Sequence, residues 1–555
     1  MRPTHVAGEE HAGGARSPAA HHSVPDRVSA PVHTDPDDPR RPIRRIQVRD
    51  VAEHLRDVLR SGPADRHDHV ITGISDDSRT VRPGDLYVAL PGHHAHALDF
   101  EAEAATHGAV AVLSDRPSRL LPAFVVDRPR DVVGPLASWI LGHPSHDLQV
   151  HGITGTNGKT SATYLLDTAL AATGVVTGMI GGVVVRGPAG TQPATRTTPE
   201  ASVVHRTLAE FRDQGVQAVT LEVSSHGISQ GRVDGVRFRT VAFTNLGPDH
   251  LDFHHTMEQY FAAKAALFTA DRTQTAVVNI DDEYGRRLAA SVDVPLWTHS
   301  TCDARADVYA DSIRCDLHGT CFTVHTPAGS APVRLSLLGP HQVANALTAL
   351  TSVAAVDGDV LQAAAGLETL AGVPGRLERV DAGEGVLALV DYMHNTSGQR
   401  ELLPFLRSLA PERRLVLVIS ATGERDPGKR FPLGHTAATY ADVVVVTDDS
   451  PLSEDPRVLR DAVAEGAFAA RSARVVVEAD RRRAFDIAVA HTGPGDVVVV
   501  AGRGCEPRLV SGDTVQVFDA TGTNCGAHCT VRNTGPSRAS PPLSDPLGDH
   551  GCSHM

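Results

Sequence analysis

Short apolar runs separated by helical stretches recur along this chain, and their order predicts an α/β protein with parallel sheets. Residues 148–153 make a partly alternating strand, and 161–170 carry apolar residues at helical spacing. Further strands are expected at 218–223, 240–244 and 275–280 with helices between them, the βαβ pattern of a parallel sheet. Toward the C-terminus, 386–390, 415–419, 443–446 and 497–501 are continuous apolar runs, which suit strands covered on both faces. Upstream, short strands at 86–90 and 109–113 alternate with helical stretches at 51–59 and 101–107. The expected layout is a small N-terminal α/β domain over 43–128, a central domain over 129–373 and a Rossmann-like C-terminal domain over 374–520. Residues 1–42 and 521–555 lack periodicity and are expected to be a disordered extension and tail.

Composition narrows the class without changing this layout. The chain has 555 residues, too many for one core. Its 41% hydrophobic and 21% charged residues are those of a soluble globular protein. A net charge of −14, with cations interspersed among acids, argues against nucleic acid as a partner. Seven cysteines without a paired framework suit a reducing cytoplasm, and no apolar run approaches the ~20 residues of a membrane span. In the tail, Cys525, His528, Cys529 and Cys552 match no common zinc spacing. A cytoplasmic monomer acting on small molecules is the expectation.

The strand at 148–153 runs into Gly155-Thr156-Asn157-Gly158-Lys159-Thr160 and then into a helix. Glycines at 155 and 158 let the backbone bend and turn its N–H groups inward, while the helix N-terminus and Lys159 supply positive charge. The Thr160 hydroxyl is placed to ligate Mg²⁺. This is a phosphate cradle, predicting a nucleoside triphosphate in the central domain; the strict P-loop spacing would also want glycine where Ile153 stands. Ligands of parallel sheets gather at strand C-termini, which brings in Glu222, at the end of 218–223, and His250, after 240–244. Mg²⁺ prefers oxygen, so Glu222 is the stronger candidate ligand and His250 the weaker.

The loop, Thr197-Thr198-Pro199, Glu222-Val223-Ser224-Ser225-His226 and the Asp249-His250 pair resemble motifs of the Mur ligase family. So do Tyr260-Phe261-Ala262-Ala263-Lys264 and Pro374-Gly375-Arg376-Leu377-Glu378, and the match runs in motif order over roughly 43–520. Within the family the chain resembles the MurE type, which adds an amino acid to a UDP-muramoyl dipeptide. The resemblance implies a central ATPase domain and chemistry through an acyl phosphate, with ADP and phosphate released. It implies that Gly155, Thr156, Asn157, Gly158, Lys159, Thr160, Asn345, Arg376, Asp391 and His394 hold the nucleotide. Thr160, Glu222, His250 and Lys264 would serve Mg²⁺, with Lys264 carrying a carbamate. Lys159, Glu222, His250 and Lys264 would be catalytic. Ser78 and Arg79 match a UDP-binding signature. Thr197, Thr198, Ser224, Gln230 and Arg232 match muramoyl-peptide contacts, and Asp449 and Glu506 belong to the amino-acid end.

Departures from the family pattern cluster at the substrate ends. Asp-Tyr-Ala-His-Thr-Pro is Asp391-Tyr392-Met393-His394-Asn395-Thr396 here, and Gly-Lys-Gly-His-Glu is Gly502-Arg503-Gly504-Cys505-Glu506. Family members that add meso-diaminopimelate carry Asp-Asn-Pro-Arg, whereas this chain has Asp449-Ser450-Pro451-Leu452. Leucine cannot make the bidentate contact of that arginine with a distal carboxylate, so diaminopimelate is disfavoured. Two other readings follow: a diverged paralogue joining an amine to another carboxylate, or a nucleotide-holding protein without turnover. Cys505 reads as a packed thiol, since ATP activation needs no acyl-enzyme.

Overall fold

The structure, a computed structural model, describes residues 45–63, 69–92, 95–381, 385–409, 411–506, 508–512, 514–517 and 530–532. The central sheet has eleven strands. Its parallel heart is Thr177–Ile180, Ala218–Glu222, Gln149–Thr154, Phe238–Phe243, Thr273–Asn279 and Leu296–Ser300, in that spatial order. Gln149–Thr154 lies between Ala218–Glu222 and Phe238–Phe243, with Gly152 paired to Leu221 on one side and Val241 on the other. Ala218–Glu222 and Phe238–Phe243, consecutive with each other in sequence, thus lie on opposite sides of it, and the loop after Thr154 opens between their C-terminal ends, where such sheets bind ligands. Position 152 must be small because a Cβ there would stand 2.8 Å from the buried Phe238 ring.

The helix Lys159–Ala172 is seated by Leu165, Leu166 and Ala169, all fully buried in a core shared with the helix His341–Ala354. Truncating either leucine to alanine would cost about 2–5 kcal/mol. Antiparallel strands, Val184–Gly187 with Gly190–Pro193 at one edge and Gly319–Thr326 with Gly329–Leu335 at the other, widen the sheet beyond the expected strands.

The N-terminal sheet is Leu59–Ser61, Ala123–Val126, Ala111–Ser114, Asp85–Ala89 and Gly73–Ser75 in spatial order. The helix Pro129–Ile140, which composition grouped with the central domain, buries Val133, Leu136 and Ile140 in the N-terminal core beside Leu86 and Phe124. In the C-terminal sheet, Leu387–Val390, Val497–Val500, Leu415–Ile419, Val443–Val446 and Arg474–Val477 are parallel neighbours, with Glu378–Asp381 antiparallel at the edge. All four valines of Val443–Val446 are buried, as a run without alternation requires. From the tail expected to be disordered, Thr530–Arg532 is described, and it pairs antiparallel with Thr514–Val517. The remainder of that tail and the 1–42 extension, including Cys525, His528, Cys529 and Cys552, lie outside the described residues. No helix among the described residues is long and apolar enough to cross a membrane.

Candidate active site

The phosphate loop is shaped by what touches it. Gly155 has φ 152° and Gly158 φ 86°, and a Cβ on Gly155 would lie 1.9 Å from Thr244 Oγ1. The strand end Phe238–Phe243 delivers the residues that brace it. Thr244 Oγ1 donates to Asn157 O (2.7 Å), and the Asn157 N–H donates to Asn245 Oδ1 (3.0 Å). Thr156 Oγ1 meets Tyr260 OH at 3.1 Å and accepts from the Gly247 N–H (3.0 Å). Asn345, nearly buried, donates to Gln342 Oε1 (3.0 Å), and its Oδ1 lies 2.3 Å from where a Cβ on Gly158 would stand.

Two lysines converge below the loop. Lys159 Nζ donates to the carbonyls of Gly155 (3.0 Å) and Thr156 (2.9 Å), and Lys264 Nζ donates to Gly155 O (2.8 Å). Burial lowers the Lys159 ammonium, against the pull of Glu222 and Asp249. Lys264 is 1% exposed and falls well below its usual range, because burial and then repulsion by Lys159 disfavour its charge. Its amine sits over the Tyr260 ring, 4.7 Å from the centroid.

Thr160 and Glu222 come together as expected. Thr160 Oγ1 donates to Glu222 Oε2 (3.1 Å), and the Gly182 N–H donates to Oε1 (2.8 Å). Burial raises Glu222 above the ordinary carboxylate range, opposed by the Gly182 bond and by Lys159 and Arg376 at longer range. No three His, Cys, Asp or Glu side chains among the described residues are arranged to hold a metal ion. The oxygen pair of Thr160 and Glu222 suits Mg²⁺ nonetheless, since that ion keeps several waters and phosphate oxygens in its shell.

The C-terminal sheet completes the site. Arg376 Nη2 donates to Thr160 Oγ1 (2.9 Å) with its guanidinium carbon 4.8 Å from the Tyr392 ring centroid. Asp391 spends both oxygens on backbone, accepting from the N–H groups of Leu377 (2.8 Å) and Met393 (2.7 Å), so its visible work is to fold the Arg376 turn. Asn395 Nδ2 donates to Asp249 Oδ2 (3.0 Å), and His394 Nε2 lies 3.4 Å from the same atom. Burial alone would raise Asp249, but His394, His250 and Lys429 overcome it and hold the carboxylate below its usual range. His250, with φ 54°, stands 4.9 Å from His226 between ring centroids, and burial lowers its imidazole. Asp249, Tyr260, Asn395 and Ser397, which accepts from Asn157 Nδ2 (3.2 Å), are missing from the expected site. Asp249, Tyr260 and Asn395 stand inside the quoted motif segments without a role assigned there, and Ser397 lies just past one.

The substrate-end residues fall in two places. The Thr198 hydroxyl donates to Glu222 O (2.9 Å) and accepts from the Ser224 N–H (2.9 Å), with Thr197 half-buried beside it. Arg232 donates to Thr198 O (3.0 Å) and to Gln230 Oε1 (2.6 Å). Ser78 donates to Glu103 Oε2 (2.6 Å), and Arg79 pairs with Asp77, which caps the short turn Ser78–Thr80 after the strand Gly73–Ser75. At the other end Asp449 is buried against Arg503, accepts from Ser420 Oγ (3.0 Å) and is held low by Arg503 and Arg481 against the rise that burial would impose. Glu506 is exposed, and burial pushes the Cys505 thiol up, which fits packing rather than nucleophilic work.

Comparison with known proteins accounts for this arrangement. The Mur ligase middle domain matches residues 153–353, the Mur ligase glutamate ligase domain 375–504 and the Mur ligase catalytic domain 70–135. The UDP-N-acetylmuramoyl-L-alanyl-D-glutamate–2,6-diaminopimelate ligase of Streptomyces coelicolor is 44% identical over 494 residues, 87% of this chain and 96% of that protein. This chain belongs to the Mur ligase family. The ligase of the same name from Xanthomonas campestris is 41% identical over 81% of this chain and 92% of its own length. A solved structure bearing that enzyme name superposes with a TM-score of 0.58 at 27% identity, covering 86% of this chain and 97% of its own. MurF ligase of Thermotoga maritima, solved with ADP, shares the fold at a TM-score of 0.59 and 20% identity, over 78% of this chain and 94% of that one. As a Mur ligase with relatives this similar, the chain is an ATP-dependent ligase.

Proposed function

We propose that this Mur ligase joins an amino acid to the free carboxylate of a UDP-muramoyl dipeptide, as its relatives' names describe. The observation that carries the reading is the Thr160 hydroxyl, which donates to Glu222 and accepts from Arg376. One hydroxyl thereby links the phosphate loop, the neighbouring strand end and the C-terminal sheet. In the first step a carboxylate oxygen attacks the γ-phosphorus, ADP leaves, and an acyl phosphate forms. The incoming amine then attacks the acyl carbon, phosphate leaves, and the amine gives up its proton. Loop N–H groups, Lys159 and Arg376 stand ready to neutralise the charge that builds on the phosphates. Thr160 and Glu222 would hold Mg²⁺, with His250 beside a second site; when bound, the ion adds positive charge at the phosphate oxygens.

Lys264 supports its expected modification on chemical grounds. Only an uncharged amine adds to CO₂, with loss of a proton, and burial shifts this amine toward its uncharged form. The carbamate would place an anion beside Lys159, where a protonated Lys264 would be repelled. Ser78 and Arg79 are assigned to the UDP end, Thr197, Thr198, Ser224, Gln230 and Arg232 to the muramoyl peptide, and Asp449 and Glu506 to the amino-acid end.

Leu452 favours an amino acid other than diaminopimelate. Its backbone is clamped, its N–H donating to Val510 O (3.2 Å) and its carbonyl accepting from the Gly512 N–H (2.7 Å). The same departure supports the second reading, a paralogue acting on another carboxylate. ADP release by the purified chain, with UDP-muramoyl dipeptide and a panel of amino acids, decides. Turnover with that nucleotide is the expected result. Turnover only with a different carboxylate would replace the first reading by the second, and nucleotide binding without any ADP release would overturn both.

A further inference from the structure

Arg474–Val477 forms one edge of the C-terminal sheet. It pairs in parallel with Val443–Val446, and no described strand pairs with its other side. The N–H groups of Arg474 and Glu478 donate to Asp442 O (2.9 Å) and Val446 O (3.0 Å), so these residues turn their backbone inward. By strand alternation Val475 and Val477 turn theirs outward, presenting N–H and C=O groups along an open edge. Such an edge is a template for another strand.

The edge is complementary to itself. Val475 and Val477 flank Val476, and Arg474 and Glu478 stand one position further out on either side. A second copy laid antiparallel about a two-fold axis at Val476 sets Val475 opposite Val477 and Arg474 opposite Glu478, twice each. The outward backbone groups of Val475 and Val477 then close two hydrogen-bonded pairs. Shifting the register by two residues one way sets Arg474 against Val476. The other way, Val475 meets Ala479, whose carbonyl is already taken by Asp448 and Thr447. Charges on an edge strand usually guard against pairing, and like charges would do so here. An arginine and a glutamate equidistant from Val476 attract instead in the two-fold register. Arg474 is exposed, and Glu478, 3.3 Å from Arg483 in its own chain, can accept a second donor.

Exposed apolar side chains lie where the copy would sit. Val475 packs on the core beneath the helix Pro456–Ala470, and Val477, on the same face, is 42% exposed. That helix crosses Arg430–Tyr440 so closely that a Cβ on Gly466 would strike the Phe431 carbonyl. Phe468 lies about 200° round the helix from Gly466, turned away from that neighbour, and is 57% exposed. Because Arg430–Tyr440 lies over Leu415–Ile419 and Val443–Val446, away from it means toward the open edge.

We propose that this edge joins two copies of the chain in a two-fold dimer, with Phe468 of each copy covering Val477 of the other. The dimer replaces the monomer expected from the sequence and rests on no reading of the activity. Antiparallel joining points the carboxyl ends of the two C-terminal sheets in opposite directions, so assembly rather than turnover is the readout.

Sedimentation velocity on the full chain from about 1 to about 200 µM is the test, since an edge this short belongs with the smaller, weaker interfaces. The unmutated chain should pass from monomer to dimer across that range. Arg474→Glu and Glu478→Arg should each raise the dimer dissociation constant about tenfold or more, because both ends then carry like charges. Mixed in equal amounts, the two variants should pair with each other as the unmutated chain does, since every charged contact is again between opposites. Val477→Pro removes an outward N–H and no inward bond, so it should weaken the dimer and keep the circular dichroism of the unmutated chain. A chain that stays monomeric at the highest concentration, a dimer indifferent to these substitutions, or a mixture that does not restore pairing would overturn the proposal.

Discussion

Thr160 Oγ1 lies 3.1 Å from Glu222 Oε2 although 62 residues separate them, and the carboxylate is 1% exposed. A buried carboxylate whose contacts are a hydroxyl and a backbone N–H is a weakly compensated charge, which a divalent cation would stabilise. We expect Glu222→Gln to lower kcat about a hundredfold or more, the scale of losing one preorganised electrostatic group. Thr160→Val should raise the Mg²⁺ concentration needed for half-maximal turnover. Titrating ADP release against Mg²⁺ checks both, and an unchanged Mg²⁺ dependence in the two variants would remove the pair from the metal site.

Lys264 donates to Gly155 O at the base of the loop, beside Lys159. Lys264→Arg would keep a fixed charge where the fold disfavours one and cannot form the carbamate, so it should be inactive. Lys264→Ala should also lose turnover, with part of it restored by a small carboxylate such as acetate. Full activity in Lys264→Arg would show that no carbamate is needed.

How much of this was legible in the sequence depended on the range of the contact. The loop, its strand and its helix are contiguous, so spacing and periodicity located them within a few residues. The strand Val308–Asp316 has no counterpart in the expected pattern because it mixes buried and exposed positions without clean alternation. Arg376 to Thr160 spans 216 residues, Asn157 to Ser397 240 and Asn395 to Asp249 146. No local pattern encodes such pairs; they exist because the C-terminal sheet docks its strand ends on the loop. The motif resemblance gives roles to Arg376 and His394 but marks Asn395 only as a departure, where the family pattern has threonine. Asn395 supplies a donor to Asp249, and that could be read only from coordinates.

The amino-acid end yields a gain-of-function test. Arg503 is buried with Asp449 and Ser450, while Leu452 is half-buried with φ 56°. Leu452→Arg would place a guanidinium where the diaminopimelate-adding pattern has one. We expect kcat/KM for meso-diaminopimelate to rise about tenfold or more, the worth of one charged hydrogen-bonded contact. Steady-state kinetics with diaminopimelate and a neutral amino acid would measure the shift. An unchanged preference would show that residue 452 does not set the choice.

Three fully buried histidines tie stability to pH. His151 meets Thr240 Oγ1 at 2.8 Å, His205 meets Asp234 O at 2.9 Å and His299 meets Thr348 Oγ1 at 3.1 Å. Burial pushes each imidazole down to about 4, so the folded chain keeps them neutral. Above the unfolded histidine range neither state binds these protons, and nothing is lost. As pH falls through that range the unfolded chain takes up protons that the folded chain refuses. Stability therefore declines until pH reaches the folded values, by an order of roughly 3 kcal/mol per group at the limit. Urea midpoints should fall between about pH 7.5 and about pH 5, before most carboxylates titrate. His299→Asn should flatten that slope even if it lowers stability at neutral pH. A midpoint that holds steady across the window would mean that these imidazoles are not kept neutral by the fold.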